Sequence, residues 1–353
     1  GAYKASQDAD SVGETYVVFG RDFTNAVTHA GTSSADTLVG DATANVIVAG
    51  QGNDTLDGNG GADVLYAAEG DDILQISDTT FARVDGGSGD DTLALDGSDI
   101  TLDLTMIADN KVRGIEAIDI TGSGDNTLTV DVLEVLNLSN TSNTVVITRN
   151  AGDTVDIGSG WSQADTETID GSLYLVFTQG AATVKLSALF DLGDAPSPYP
   201  VTQAENGARH VATGPTLGAT RDTEADGTHS AAADADGSDE DGVVDTGGTI
   251  RVGQLDAGVT VNVQNAPSGA KLDAWMDFNG DGSWGGPGEQ IFASQAVVNG
   301  DNALTFDVPS WAVSGTTYAR LRLSTAGALG VTGSASDGEV EDYEIEITPP
   351  VAT

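Results

Sequence analysis

Acidic side chains repeated at a fixed interval carry the most specific chemistry in this sequence. Asp36, Asn45, Asp54, Asp63 and Asp72 follow one another at nine-residue steps, and Asp91 returns in the same setting after one irregular turn. Two residues after each stands a large aliphatic: Leu38, Ile47, Leu56, Leu65, Leu74 and Leu93. Glycines crowd just upstream, among them Gly50, Gly52, Gly58, Gly60, Gly61 and Gly70. Carboxylates and the backbone carbonyls that glycine turns expose are hard oxygen donors, the ligand set that suits calcium. A flexible glycine-rich acidic linker has no reason to hold an aliphatic at a constant offset through every copy.

The interval also dictates geometry. Each nonapeptide supplies a tight turn and a short strand whose central aliphatic points inward, which is half of one coil. Residues eighteen apart then stack, with Asp36, Asp54 and Asp72 on one side and Asn45 and Asp63 on the other. Stacked carboxylates repel unless a cation lies between them. Asn45, a neutral amide and a weaker ligand, predicts fewer ions on its side. The best copy, GGSGDDTLA at 86–94, resembles G-G-x-G-x-D-x-U-x, the RTX calcium-binding nonapeptide. That resemblance implies a parallel β-roll holding several calcium ions.

Two further acidic clusters lie downstream. In MDFNGDGSW (276–284), Asp277, Asn279 and Asp281 take positions 1, 3 and 5 of an EF-hand-type loop, Gly282 position 6 and Ser283 position 7. Position 12 is Gly288, so the expected carboxylate, Glu289, arrives one residue late, and the flanks read as strand; a plain Asp/Asn/Gly hairpin turn is the alternative. DADGSDEDG (234–242) places Asp234, Asp236, Asp239, Glu240 and Asp241 together, either as a cation site or as a solvated acidic loop. Glu339 and Glu341 alternate onto one face of a late strand and reach such a site from a distance, or else pair with Arg320 and Arg322.

The elements that position these groups are read as all-β. After the nonapeptides, β-prone segments at 100–104, 115–120, 127–130 and 145–148 predict a roll that widens into an irregular β-helix, with GSGDNTLTV (122–130) as a degenerate copy. Apolar segments within 173–190 are expected to cap it, with Trp161 packed in the cap. YVVFG (16–20) resembles the last strand of an FG-GAP propeller repeat, although an edge strand capping the roll is the preferred reading. Prolines in DLGDAPSPYP (191–200) mark a boundary. Alternating strands beyond it predict an antiparallel β-sandwich-like domain. This half resembles the GEVED domain of large bacterial surface and secreted proteins through DLGDAP, GARHVATGPTLGATRDTEADG (207–227), DEDGVV (239–244), MDFNGDGSW (276–284), YARLRLS (318–324) and GEVEDYEIEI (338–347). The expected organisation is an N-terminal strand or cap (1–30), the RTX roll with its β-helix and cap (31–190), the GEVED domain (191–348) and a linker (349–353). The first and last residues read as cuts within something longer.

Composition narrows the function. The 353 residues carry 55 acidic and 13 basic side chains, a formal charge of −42. That charge opposes nucleic acid and anionic membranes as partners and destabilises a compact chain unless cations neutralise it. No cysteine is present, and His29, His210 and His229 have no metal-ligand spacing. No apolar run is long enough to span a membrane. Nucleophile elbows and phosphate-binding loops are missing, so no enzyme is expected. The leading expectation is a calcium-binding structural module of a secreted or cell-surface bacterial protein of adhesin, matrix or surface-layer type, folding on extracellular calcium. The alternatives are a calcium-dependent glycan- or protein-binding module, or an ancillary module of a secreted hydrolase. Expected partners are calcium, then other copies of the chain, neighbouring domains of a larger protein or an extracellular glycan.

Overall fold

A computed structural model describes residues 26–139, 142–235, 240–245 and 248–350. The strand expected around 15–24 lies outside them, as do 351–353 of the expected linker. Strands dominate, and among the described residues helix is confined to Val132–Leu138 and the 3₁₀ turns Leu104–Met106 and Gln203–Glu205. The chain is all-β: a parallel β-roll that opens into a β-helix, followed by an antiparallel sandwich.

In the roll the chain winds between two parallel sheets. On one face Val46–Gln51 pairs with Val64–Glu69, and that with Arg83–Ser88; on the other, Thr37–Val39, Thr55–Asp57, Ile73–Ile76 and Thr92–Leu95 follow in order. Partners Leu38, Leu56 and Leu74 are eighteen residues apart, as the spacing requires. The coil then lengthens, to 19 residues from Leu74 to Leu93 and 25 from Leu93 to Ile118. The added residues form a third parallel sheet, Thr101–Asp103, Thr127–Thr129 and Thr154–Asp156, so the two-faced roll becomes a three-faced helix. Its interior is an aliphatic column including Ile47, Leu56, Leu65, Leu74, Leu93 and Ile118, all fully buried. Each such side chain contributes roughly 1.5–3 kcal/mol of burial.

Helix Val132–Leu138 was not legible as such. Its start is fixed by Asp131, whose Oδ1 accepts the Leu133 and Glu134 amides. An antiparallel meander, Ser162–Ile169, Ser172–Gln179 and Ala182–Ser187, follows, and its last strand also pairs in parallel with Thr144–Thr148. Trp161 packs beside the core, and its indole N–H donates to Ile157 O at 2.5 Å.

Downstream, one sheet contains Thr216–Leu217, Ala257–Gln264, Val243–Asp245 and Gly300–Phe306. The facing sheet contains Ile250–Arg251, Glu339–Thr348, Gly315–Ser324, Ala270–Met276 and Gln290–Val297. Val261, Val263, Leu272 and Leu321 fill the core between them. The expected alternation of inward apolar and outward polar residues is modified here. Residues 319–324 and 339–342 are buried on both faces. The cause is the segment after Phe190–Leu192: Ala195, Tyr199 and Val201 pack with Trp275 and Trp284 over the sheet's outer face. Arg320 and Arg322 are therefore buried ions, with Arg320 bidentate to Asp342 at 2.6 and 2.7 Å.

Candidate metal centres

Coils of equal length place like residues above one another, and in the roll those residues are carboxylates. The amide of Asp36 donates to Asp54 Oδ1 (2.8 Å), that of Asp54 to Asp72 Oδ1 (2.7 Å), and that of Asp72 to Asp91 Oδ1 (3.0 Å). Asp91 in turn donates to Glu116 Oε2 at 3.0 Å. One oxygen of each carboxylate is thus used to hold the preceding coil. The other, Oδ2 of Asp54, Asp72 and Asp91, is buried without a hydrogen-bond partner. A buried unpaired carboxylate oxygen is costly and calls for a proton or a cation. Glycine brings the backbone into the same space: a Cβ on Gly86 would stand 2.5 Å from Asp91 Oδ2, and one on Gly70, at φ +140°, would meet the Gly52 carbonyl oxygen. Anionic and carbonyl oxygens around an apolar column form a donor set that fits calcium.

The electrostatics agree. Burial, reinforced by neighbouring carboxylates, raises the pKa of Asp63 and of Asp72. Asp91 is pushed to about 7 by burial, with Asp72 and Glu116 adding repulsion.

The opposite side differs. The Asn45 amide N–H donates to Asp63 Oδ1 at 2.8 Å, but the Asn45 side chain closes on its own turn. Its Oδ1 accepts from Asp41 N, and its Nδ2 donates to Thr43 O and Asp41 Oδ1. Above Asp63 the column stops, because Ala82 stands where the next carboxylate would be and the Asp63 amide donates to the Gly61 carbonyl instead. In the three-faced region a similar column runs through Asn126. Its Oδ1 accepts from Ile100 N, its Nδ2 donates to Ile120 O at 3.0 Å, and its backbone amide donates to Asp153 Oδ1. In both places an amide nitrogen meets carbonyl oxygens.

The loop after Ala270–Met276 assembles most of its predicted ligands. Asp277, Asp281 and Glu289 each bring a carboxylate oxygen within 4.8 Å of the others. Asp277 is fixed by the Gly280 and Gly282 amides (2.7 and 2.8 Å) and by the Tyr199 hydroxyl (2.5 Å). Gly288, at φ +86°, turns the chain, so Glu289 reaches the group despite arriving late. Glu289 Oε2 accepts from Gly286 N at 2.6 Å, while Oε1 is buried and lacks a partner. Burial, with Asp277 and Asp281 nearby, raises the Glu289 pKa. Asn279 lies beside the group, accepting from Asp281 N and donating to Asp281 Oδ2, whereas Ser283 Oγ is occupied by the Gly285 amide.

The cluster at 234–241 divides. Asp236 and Asp239 lie outside the described residues. Asp234 Oδ1 accepts from Ser230 Oγ at 2.6 Å. The Asp241 carboxylate instead accepts from Ala219 N and Thr220 Oγ1. Close spacing in a turn-rich segment did not translate into a common focus for these two, because each is held by a different neighbouring loop. The sequence reading also missed Glu116, which continues the column from a lengthened coil, and Tyr199, seventy-eight residues from the carboxylate it binds. Nothing local signals either one.

Comparison with known proteins agrees with this geometry. The family model of the RTX calcium-binding nonapeptide repeat, in four copies, matches residues 30–61 and 39–74, and that of the GEVED domain matches 271–346. The chain therefore carries a calcium-binding RTX roll and a GEVED domain. No curated protein and no solved structure matches it. The carboxylate column continues past the matched repeats to Asp91 and Glu116, and 191–270 lies outside the GEVED match.

Proposed function

We propose that this chain is a calcium-folded structural module of a secreted or cell-surface bacterial protein. The observation that carries the reading is the run of buried, unpartnered Oδ2 atoms at Asp54, Asp72 and Asp91. Asp36, Asp54, Asp72, Asp91 and the turn carbonyls would hold calcium between successive coils, and Asp277, Asp281 and Glu289 would hold a further ion. The ions supply neutralisation, without which the stacked coils repel. At cytosolic calcium the roll would stay open and exportable; outside the cell, at calcium of about 1 mM, weak oxygen-ligand sites fill and the roll closes. A rigid, ion-stiffened spacer of adhesin, matrix or surface-layer type follows from such a column.

The test is a calcium titration of chelator-stripped protein, followed by far-UV circular dichroism and melting, with magnesium as control. Strand signal in the roll that forms only with calcium supports the reading; an identical melt without calcium removes it. A second reading, calcium-dependent glycan or protein binding, is favoured by Trp311. This residue is 49% exposed, packs edge-on against Phe278 (6.2 Å) and borders Gly288 of the acidic loop. Ligand capture that needs calcium and disappears in Trp311→Ala with the melt unchanged would establish it.

A further inference from the structure

The acidic loop at 277–289 and the segment that covers the sandwich's outer face meet at three points. The Tyr199 hydroxyl donates to Asp277 Oδ2 at 2.5 Å. Gly282 lies against Pro198, so that a Cβ on it would stand 2.5 Å from the proline Cγ. Trp284 packs on Tyr199 with ring centroids 4.3 Å apart, and its indole N–H donates to Tyr318 O at 2.9 Å. All three loop residues fall within the span from Asp277 to Glu289, so the stretch that gathers the carboxylates is also the seat of the cover.

The cover is tied from its other side as well. Arg320 stands 4.4 Å from the Trp284 ring centroid, and its Nη1 donates to Pro200 O at 3.0 Å. Its ion-pair partner Asp342 accepts the Ala195 amide through Oδ2 at 2.9 Å. Segment 195–201 therefore lies over a buried ion pair and rests on the acidic loop.

The shape of that loop depends on charge. Asp277, Asp281 and Glu289 bring carboxylate oxygens within 4.8 Å of one another, and the fully buried Glu289 leaves Oε1 without a hydrogen-bond partner. Carboxylates this close repel, and a hard divalent ion among them removes the repulsion. Asp277 Oδ2 is held by two donors, the Gly282 amide from within the loop (2.8 Å) and the Tyr199 hydroxyl from the cover. A hydrogen bond to a ligating group orients it and tunes metal affinity.

We propose, resting on the reading of this loop as an ion site, that Tyr199 is a positioning residue of that site and that through it calcium binding and docking of segment 195–201 strengthen one another. The coupling is reciprocal: whatever factor the docked cover adds to calcium affinity, calcium adds to docking. The ion in the second half thereby controls access to Arg320 and Asp342, apart from any closure of the roll.

The experiment compares the native full chain with E289Q and Y199F by calcium titration in equilibrium dialysis. Hydrogen exchange is then read, in saturating calcium, at the amides of Ala195, Tyr199 and Val201, which donate to Asp342, Pro196 O and Glu205. E289Q should bind one ion fewer and exchange these amides several-fold faster. Y199F keeps the ring and removes the hydroxyl; it should weaken one site by about tenfold and leave the others unchanged. If E289Q loses its ion while the three amides exchange as in the native protein, or if Y199F binds calcium as the native protein does, the coupling is overturned and the ion site stands. If E289Q binds as many ions as the native protein, the ion site itself fails and the coupling with it. Should E289Q not fold, D281N removes the charge of the exposed ligand and is read in the same way.

Discussion

Each carboxylate in the roll does two things with its two oxygens, and substitutions separate them. Asp72→Asn keeps an acceptor for the Asp54 amide but removes the charge from the position whose Oδ2 lacks a partner. It should leave the calcium-free melt near that of the native protein while lowering calcium affinity; isothermal titration would read the loss. Acidity gives a second handle. Asp91 in the folded, ion-free chain titrates at about 7, because it is buried and faces Asp72 and Glu116, whereas an unfolded aspartate titrates near 3.8. The folded state therefore holds this proton more tightly. Its contribution is full below the unfolded value and is lost as pH rises through about 7. Calcium competes for the same oxygens, so the gain in melting temperature on adding calcium should widen between about pH 5 and pH 8. A gain constant across that range would contradict the assignment. At this scale the spacing made Asp36 to Asp91 legible, since equal coils convert sequence interval into position. Glu116 and Tyr199 were not, because a lengthened coil and a distant loop leave no interval to read.

Elements respond to packing more than to charge. Leu74 lies fully buried between Leu56 and Leu93, so Leu74→Ala should destabilise the roll by about 2–5 kcal/mol, measured by denaturant melts in saturating calcium. Gly70→Ala places a side chain at φ +140° against the Gly52 carbonyl and should both lower stability and disturb ion binding, since the turn forms part of the cradle. The strands of the roll were legible from a repeated aliphatic, and those of the sandwich from alternation. The third sheet and helix Val132–Leu138 were not. Coils of 25 residues or more have no fixed period, and the Asp131 cap is one aspartate among many. The doubly buried strands of the sandwich were equally hidden, because their outer faces are covered by residues more than a hundred positions away.

Across the molecule, charge is unevenly compensated. Ion pairs occur in both halves, Arg83 and Arg113 with Asp85 in the roll and Arg320 with Asp342 in the sandwich, but the column oxygens of Asp54, Asp72 and Asp91 have no hydrogen-bond partner. Chelation should therefore separate two melting transitions, the roll falling far and the sandwich less. At a formal charge of −42, added monovalent salt should raise the melt of the chelated protein by screening without restoring the calcium transition. Differential scanning calorimetry with and without chelator checks both. Composition announced the charge problem but not where it would be solved, since the total says nothing about which carboxylates face one another.

The constant eighteen-residue step has a consequence for length. Because Leu38, Leu56 and Leu74 occupy interchangeable positions, one step can be duplicated or excised without altering the cap, the wide coils or the sandwich. Each step moves the chain along the axis by one strand spacing, about 4.8 Å. Reach is therefore a quantity this architecture can change in whole increments by genetic duplication, whereas a change of nine residues would exchange the two sides and bring an amide under a carboxylate.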